Sequence, residues 1–181
     1  MPNTYLKKYL TEQEDLIRNI KVNFIVNIYK SLSKVSRKNK VFIFGNGGSA
    51  AIASHFALDL TNNSNIRCLT FSDIPMMTCL ANDYGYENLI SKYLDMYGDK
   101  GDVLILISSS GNSKNVVNAY KKANKLKFRD IFTFTGFNKN NSLKRISKNN
   151  IWIDSKSYNQ VENLHQVCLL SIVDLFKKFK K

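Results

Sequence analysis

The apolar run Val41-Phe42-Ile43-Phe44, followed at once by Gly45-Asn46-Gly47-Gly48-Ser49-Ala50, limits most strongly what this chain can fold into. Four consecutive apolar residues, β-branched or aromatic, are the pattern of a short strand covered on both faces in a parallel sheet. Gly45, Gly47 and Gly48 then allow the backbone to bend tightly and bring several N–H groups towards one ligand. Ser49 adds a hydroxyl, and Ala50, Ala51 and Ala53 begin a good helix former whose positive end points back at the turn. An anion is the expected guest.

A second stretch repeats the arrangement. Val103 to Ile107 (VLILI) is the most strand-like run in the sequence, and Ser108-Ser109-Ser110-Gly111-Asn112-Ser113 follow it directly. Further strands are predicted at Ile66–Phe71, Ile131–Thr135 and Ile151–Ile153. Helices are predicted near Pro75–Asn82, Glu87–Tyr97, 114–126, Leu143–Ile146 and Val161–Phe179. Strands alternating with helices predict an α/β fold, a three-layer doubly wound sandwich with a mostly parallel five-stranded sheet. In such sheets ligands gather at the carboxyl ends of the strands, beside the switch in strand order, and both polar turns lie at carboxyl ends. Ahead of the sheet, Leu6, Leu10, Leu16, Ile17, Ile20, Phe24, Ile28, Leu32 and Val35 recur at mostly three- and four-residue steps. They predict one long amphipathic helix over 4–36 or two in tandem, with Thr11 and Glu14 as a capping box opening the second. The chain thus divides into an N-terminal helical segment (1–38), packing on the domain and on neighbouring copies, and one α/β domain (39–181).

Composition narrows the partners. The 181 residues carry a formal net charge of +13, and residues 91–181 hold 17 of the 27 basic residues. Lysine dominates and no zinc-finger spacing or RNP-like aromatic strand accompanies it, so the pattern favours a solvated lysine-rich surface over a nucleic-acid face. Cys68, Cys79 and Cys168 are odd in number with no CxxC spacing, which argues against a disulfide framework or zinc knuckle. No apolar run reaches signal-peptide or membrane-spanning character, and a soluble cytoplasmic protein is expected.

The two turns hold hydroxyls and amides but neither a Walker lysine nor a metal-binding carboxylate, which suits a phosphate monoester better than a magnesium triphosphate. A competing reading takes Gly45, Gly47 and Ala50 as a dinucleotide fingerprint with Asp73 as ribose acceptor. Asp73 lies beyond the roughly 20-residue spacing of that motif, and the serine-rich turn is left unexplained.

GNGGSA, His55-Phe56-Ala57, Ala81-Asn82-Asp83-Tyr84-Gly85, Gly101-Asp102-Val103-Leu104, Ser108 to Ser113 and Val161-Glu162-Asn163-Leu164-His165 together resemble the SIS (sugar isomerase) domain. More narrowly they resemble its phosphoheptose isomerase branch, collinearly over essentially the whole chain. The resemblance implies a flavodoxin-like SIS fold and a homotetramer with sites at subunit interfaces. It also implies conversion of sedoheptulose 7-phosphate to an aldoheptose 7-phosphate for lipopolysaccharide or capsule heptose, with one zinc ion per site. Matching positions assign substrate binding to Asn46, Gly47, Gly48, Ser49, Asp83, Ser108, Ser109, Ser110 and Ser113, and metal binding to His55, Asp59 and Glu162. Four positions depart from the branch: Asp59 replaces a glutamate, Glu162 a glutamine, Leu170 a histidine and Asn63 an arginine.

Aldose–ketose interconversion needs a base that moves a proton between C1 and C2 and donors that steady the developing enediolate. His55 and Asp59, four residues apart on one helical face, and Glu162 and His165, three apart on another, supply those groups. Asp59, Glu162 and His165 are therefore the catalytic candidates. Read without the resemblance, His165 in an apolar helix is a core residue more often than a ligand. Two alternatives accompany the isomerase: a catalytically silent SIS module, similar in outline to the replication-initiator-associating relatives, and an isomerase for another phosphosugar.

Overall fold

The computed structural model describes residues 1–179. Two helices, α1 (Pro2–Arg18) and α2 (Val22–Leu32), precede β1 (Val41–Phe44), α3 (Gly48–Ser64) and β2 (Cys68–Leu69). Next come α4 (Ile74–Tyr84), a 3₁₀ turn (Tyr86–Asn88), α5 (Leu89–Tyr97), β3 (Val103–Ser108) and α6 (Lys114–Lys125). The chain continues through β4 (Asp130–Thr135), α7 (Ser142–Ile146), β5 (Asn149–Trp152) and α8 (Tyr158–Lys178). The strands lie in the order β2-β1-β3-β4-β5, and each neighbouring pair is parallel. This is the expected doubly wound arrangement, with the strand order reversing between β1 and β3.

Alternation of side chains along the central strands sets the three layers. Val41 and Ile43, with Val103, Ile105 and Ile107, point into the core shared with α2, α3 and α8. Phe42 and Phe44, with Leu104 and Leu106, point into the opposite core against α5 and α6. There Phe44, Phe71 and Tyr93 pack with centroids 4.8–5.6 Å apart, favourable edge-on or tilted geometries. Every residue of β1 and β3 is buried, which is why both read as unbroken apolar runs.

The N-terminal segment forms two helices, broken at Asn19–Lys21 rather than at Thr11. Thr11 lies inside α1, where its hydroxyl donates to the Lys7 carbonyl, so the capping-box expectation fails. That hydroxyl stays on its own helix because the chain needs no break until the 19–21 corner turns it onto α8. The second strand is shorter than its apolar run, only Cys68–Leu69, since a sheet edge pairs on one side alone.

Asp102 ties the amino ends of β1 and β3 together. Its buried carboxylate accepts from the Lys40 and Asp99 amides, both at 2.9 Å, and from the Asn39 side chain at 3.1 Å. The Lys40 ammonium sits 3.0 Å away. Burial lowers the Lys40 pKa, but hydrogen bonds to Asp99 and Asp102 outweigh it and hold the group above its ordinary value. Removing the carboxylate strands the Lys40 and Asp99 amides and leaves the nearly buried ammonium with Asp99 alone. We expect Asp102→Ala to lose about 3 kcal/mol in urea unfolding, against well under 1 kcal/mol for the exposed Asp174→Ala. Equal losses would remove Asp102 from this role.

Candidate active site

Two backbone cups open side by side on the carboxyl rim of the sheet. The first is the β1–α3 turn. Gly47 has φ +53° and ψ −124°, a backbone region in which a side chain is strained, and it caps α3. A Cβ on Gly45 would come 2.6 Å from the Ser49 Cβ, so the turn closes only around glycine. Gly48 and Ser49 therefore start α3 with their amides directed at the rim, where the helix dipole favours an anion. The second cup follows β3. Ser108 and Ser109 are buried, the Ser108 and Ser113 hydroxyls lie 3.1 Å apart, and Gly111 turns the chain at φ +66°. Ser113 caps α6.

Register makes the cups neighbours, because β1 and β3 pair directly from Val41↔Val103 to Phe44↔Leu106. Glu162, on the second turn of α8, marks the junction: its carboxylate accepts from the Ser109 hydroxyl at 3.5 Å and occupies the space a Cβ on Gly48 would need. Sequence reasoning missed three supports of this rim. Asn115, buried, and Asn46 exchange two side-chain hydrogen bonds of 2.8 and 3.0 Å, locking the first cup to α6. The Tyr86 hydroxyl donates to Asn46 Oδ1 at 2.9 Å. Asn141 caps α7 and packs where any Cβ on Gly111 would have to be. Asn115 was legible as the second asparagine of SGNSKN, although nothing in the sequence reveals its partner. Asp83 lies in α4 on an exposed face, paired with the Cys79 thiol and the Asn82 amide.

The acid–base candidates divide. His55 Nε2 and Asp59 Oδ2 stand 3.3 Å apart on the partly exposed flank of α3. Glu162 lies at the cups, seven residues and so roughly 10 Å along α3 from His55. Consistent with that separation, among the described residues no three His, Cys, Asp or Glu side chains converge closely enough to hold one metal ion. Leu170, at the position of an expected histidine, adds no donor. One chain thus offers the His55–Asp59 pair, but His55, Asp59 and Glu162 do not converge as a zinc set.

His165 requires a correction. It is fully buried, its ring edge-on to Phe134 at 5.6 Å, and its Nε2–H donates to the Thr135 carbonyl at 3.2 Å. The apolar spacing of α8, with Leu164, Cys168, Leu169 and Ile172, turns this position into the core. Burial pushes its pKa down to about 4 from 6.5, partly offset by the Thr135 carbonyl. It is a core histidine with no exposed surface.

A SIS domain model matches residues 4–132 of this sequence. The chain belongs to the SIS domain family. This SIS protein is 36% identical over 138 residues to a phosphoheptose isomerase of Helicobacter pylori, covering 71% of this chain and 72% of that one. It is 34% identical over 166 residues to a probable phosphoheptose isomerase of Thermoplasma acidophilum, covering 88% and 90%. Its structure is similar to that of the phosphoheptose isomerase GmhA from Neisseria gonorrhoeae, with TM-score 0.89, 25% identity, and 97% and 99% of the chains covered. Among the described residues no helix is long and apolar enough to cross a membrane.

A buried neutral imidazole makes stability pH-dependent. The unfolded chain takes up this proton near pH 6.5 and the folded chain only near pH 4, so the contribution is complete above about 6.5 and lost as pH falls through that window. Between pH 7 and pH 5 urea unfolding should show about 2 kcal/mol more loss in the native protein than in His165→Gln. Parallel losses in the two proteins would mean that the ring titrates in contact with water.

Proposed function

We propose that this SIS protein is a sugar-phosphate isomerase of the phosphoheptose type, converting sedoheptulose 7-phosphate to an aldoheptose 7-phosphate that feeds lipopolysaccharide or capsule heptose. The observation that carries the reading is a line along α3. His55 and Asp59 follow Gly48 by seven and eleven residues, which at 3.6 residues per turn puts each within roughly 20° of Gly48 on the helix. A phosphoryl group seated on the amides and hydroxyls of the cups leaves an extended seven-carbon chain to run along that flank. Its C1 and C2 then approach the His55–Asp59 pair, while the phosphate end stays on the dipole of α3.

In this arrangement Asp59 removes the proton from C1 of the open-chain ketose and returns it to C2. His55, 3.3 Å away, carries the hydroxyl proton from O1 to O2. Glu162 takes no part in the proton transfer. Its carboxylate accepts from Ser109 and lies against Gly48, so an arriving phosphoryl group meets it as a like charge. A shorter aspartate where the branch places glutamate moves the carboxylate back by one methylene, a shift that selects how closely the sugar must approach.

The catalytic pair faces outward, and none of the residues of α1 is buried although Tyr5, Leu6, Leu10 and Ile17 are apolar. This supports a homotetramer with the sites completed between subunits; a monodisperse monomer in sedimentation would remove that part of the proposal. A silent phosphosugar-binding module is the second reading. It is favoured by the core placement of His165 and the aliphatic Leu170, which leave one acid–base pair.

NMR of sedoheptulose 7-phosphate in deuterated solvent separates them. The native protein should form aldoheptose 7-phosphate with deuterium at C2. Asp59→Asn should lose about 10³-fold in turnover with binding intact. Ser109→Ala with Ser110→Ala should raise KM first, whereas Glu162→Gln should keep turnover and lower KM. Binding without exchange in the native protein would establish the silent module, and full turnover in Asp59→Asn would displace the base.

A further inference from the structure

Away from the cups, a cavity of about 510 Å³ lies at the outer edge of the sheet, between β5 and the corner joining α1 to α2. It is separated from β3 by β4 and shares no residue with the rim described above. One side is apolar, formed by Leu16, Ile20 and Phe24. The other carries Lys21, Lys139 and Lys144 around Trp152, with Asp154 as the one carboxylate in the lining. Lys144 and Lys139 hold their ammonium groups 5.0 and 5.9 Å from the Trp152 ring centroid. Among the described residues none of the three lysines forms an ion pair; Lys144 Nζ donates only to the Lys139 carbonyl, at 3.2 Å. Burial, then the charges of Lys139 and Lys21, hold Lys144 below the usual lysine pKa, so the three cations act on one another. The Trp152 indole N–H is buried with no acceptor among the described residues.

Each of these features wants the same thing. Three lysines against one aspartate leave two positive charges uncompensated, two of the ammonium groups lie over the Trp152 ring, and an apolar wall stands opposite. Clustered like charges repel, so an oxyanion in the cavity would relieve them. The volume falls in the range of small-molecule sites, which combine apolar walls with a few convergent polar groups. We infer that this cavity is a second anion site, which binds a small organic phosphate by setting its phosphoryl oxygens among Lys21, Lys139 and Lys144 beside the Trp152 ring and its apolar part against Leu16, Ile20 and Phe24. The site is independent of the isomerase reading, because it uses neither cup.

Trp152 is the sole tryptophan of the chain, so intrinsic fluorescence reports on the cavity directly. Titration of the full-length protein with AMP, and in parallel with inorganic phosphate, should change the emission at millimolar AMP or below, with inorganic phosphate about tenfold weaker. Lys139→Gln with Lys144→Gln should weaken the AMP response about tenfold or more, and Lys139→Arg with Lys144→Arg should restore it. Ser109→Ala with Ser110→Ala should leave it unchanged. The inference is overturned by a silent tryptophan, by equal responses to AMP and inorganic phosphate, by a response that survives loss of both lysine charges in a protein of native circular dichroism, or by one that disappears with the serines.

Discussion

The site rests on one steric condition: the backbone after β1 must double back into α3 without a Cβ in its way. Gly45 has Ser49 where its side chain would go, Gly48 has Glu162, and Gly47 adopts a conformation in which a side chain is strained. Only when all three are satisfied does α3 begin close enough to the end of β1 for its first amides to face the rim. The dipole of a seventeen-residue helix is then aimed at the point where β1 and β3 diverge, the switch point that attracts ligands in sheets of this order. Any ligand chemistry on this face follows from that geometry.

The second cup makes the first selective. Alone, a glycine turn at a helix start suits many anions. Beside it, Ser108, Ser109 and Ser113 add neutral hydroxyls held by a glycine turn and a buried asparagine. Neutral donors and dipoles suit a phosphate monoester that must also leave. Glu162 places a carboxylate at the same spot, and a phosphoryl group bound as proposed would meet there a like charge that a glutamine does not carry.

Much of the fold could be read from the sequence because the buried strands are short, apolar and punctuated. The runs VFIF and VLILI correspond to strands with every residue buried, and the turns after them are where glycine and serine placed them. The break in the N-terminal helices escaped because Thr11 and Glu14 satisfy a local capping pattern that tertiary packing does not use, while the corner at Asn19 has no glycine or proline to announce it. At the site, the cup residues follow from local motif. The acid–base groups do not, since spacing along α8 fits His165 equally to a ligand face and to the core, and only its contacts with Phe134 and Thr135 decide. The pairings of Asn115 and Tyr86 escaped for a related reason: each joins a partner far away in sequence.

The central claim is that the two cups hold one phosphoryl group jointly. A crystal structure with sedoheptulose 7-phosphate bound tests it most directly. The account predicts phosphoryl oxygens within hydrogen-bonding distance of the Gly48 or Ser49 amides and of hydroxyls among Ser108, Ser109, Ser110 and Ser113, with Glu162 displaced and the carbon chain lying along α3. A phosphoryl group bound elsewhere with both cups empty, or held by one cup alone, would contradict it.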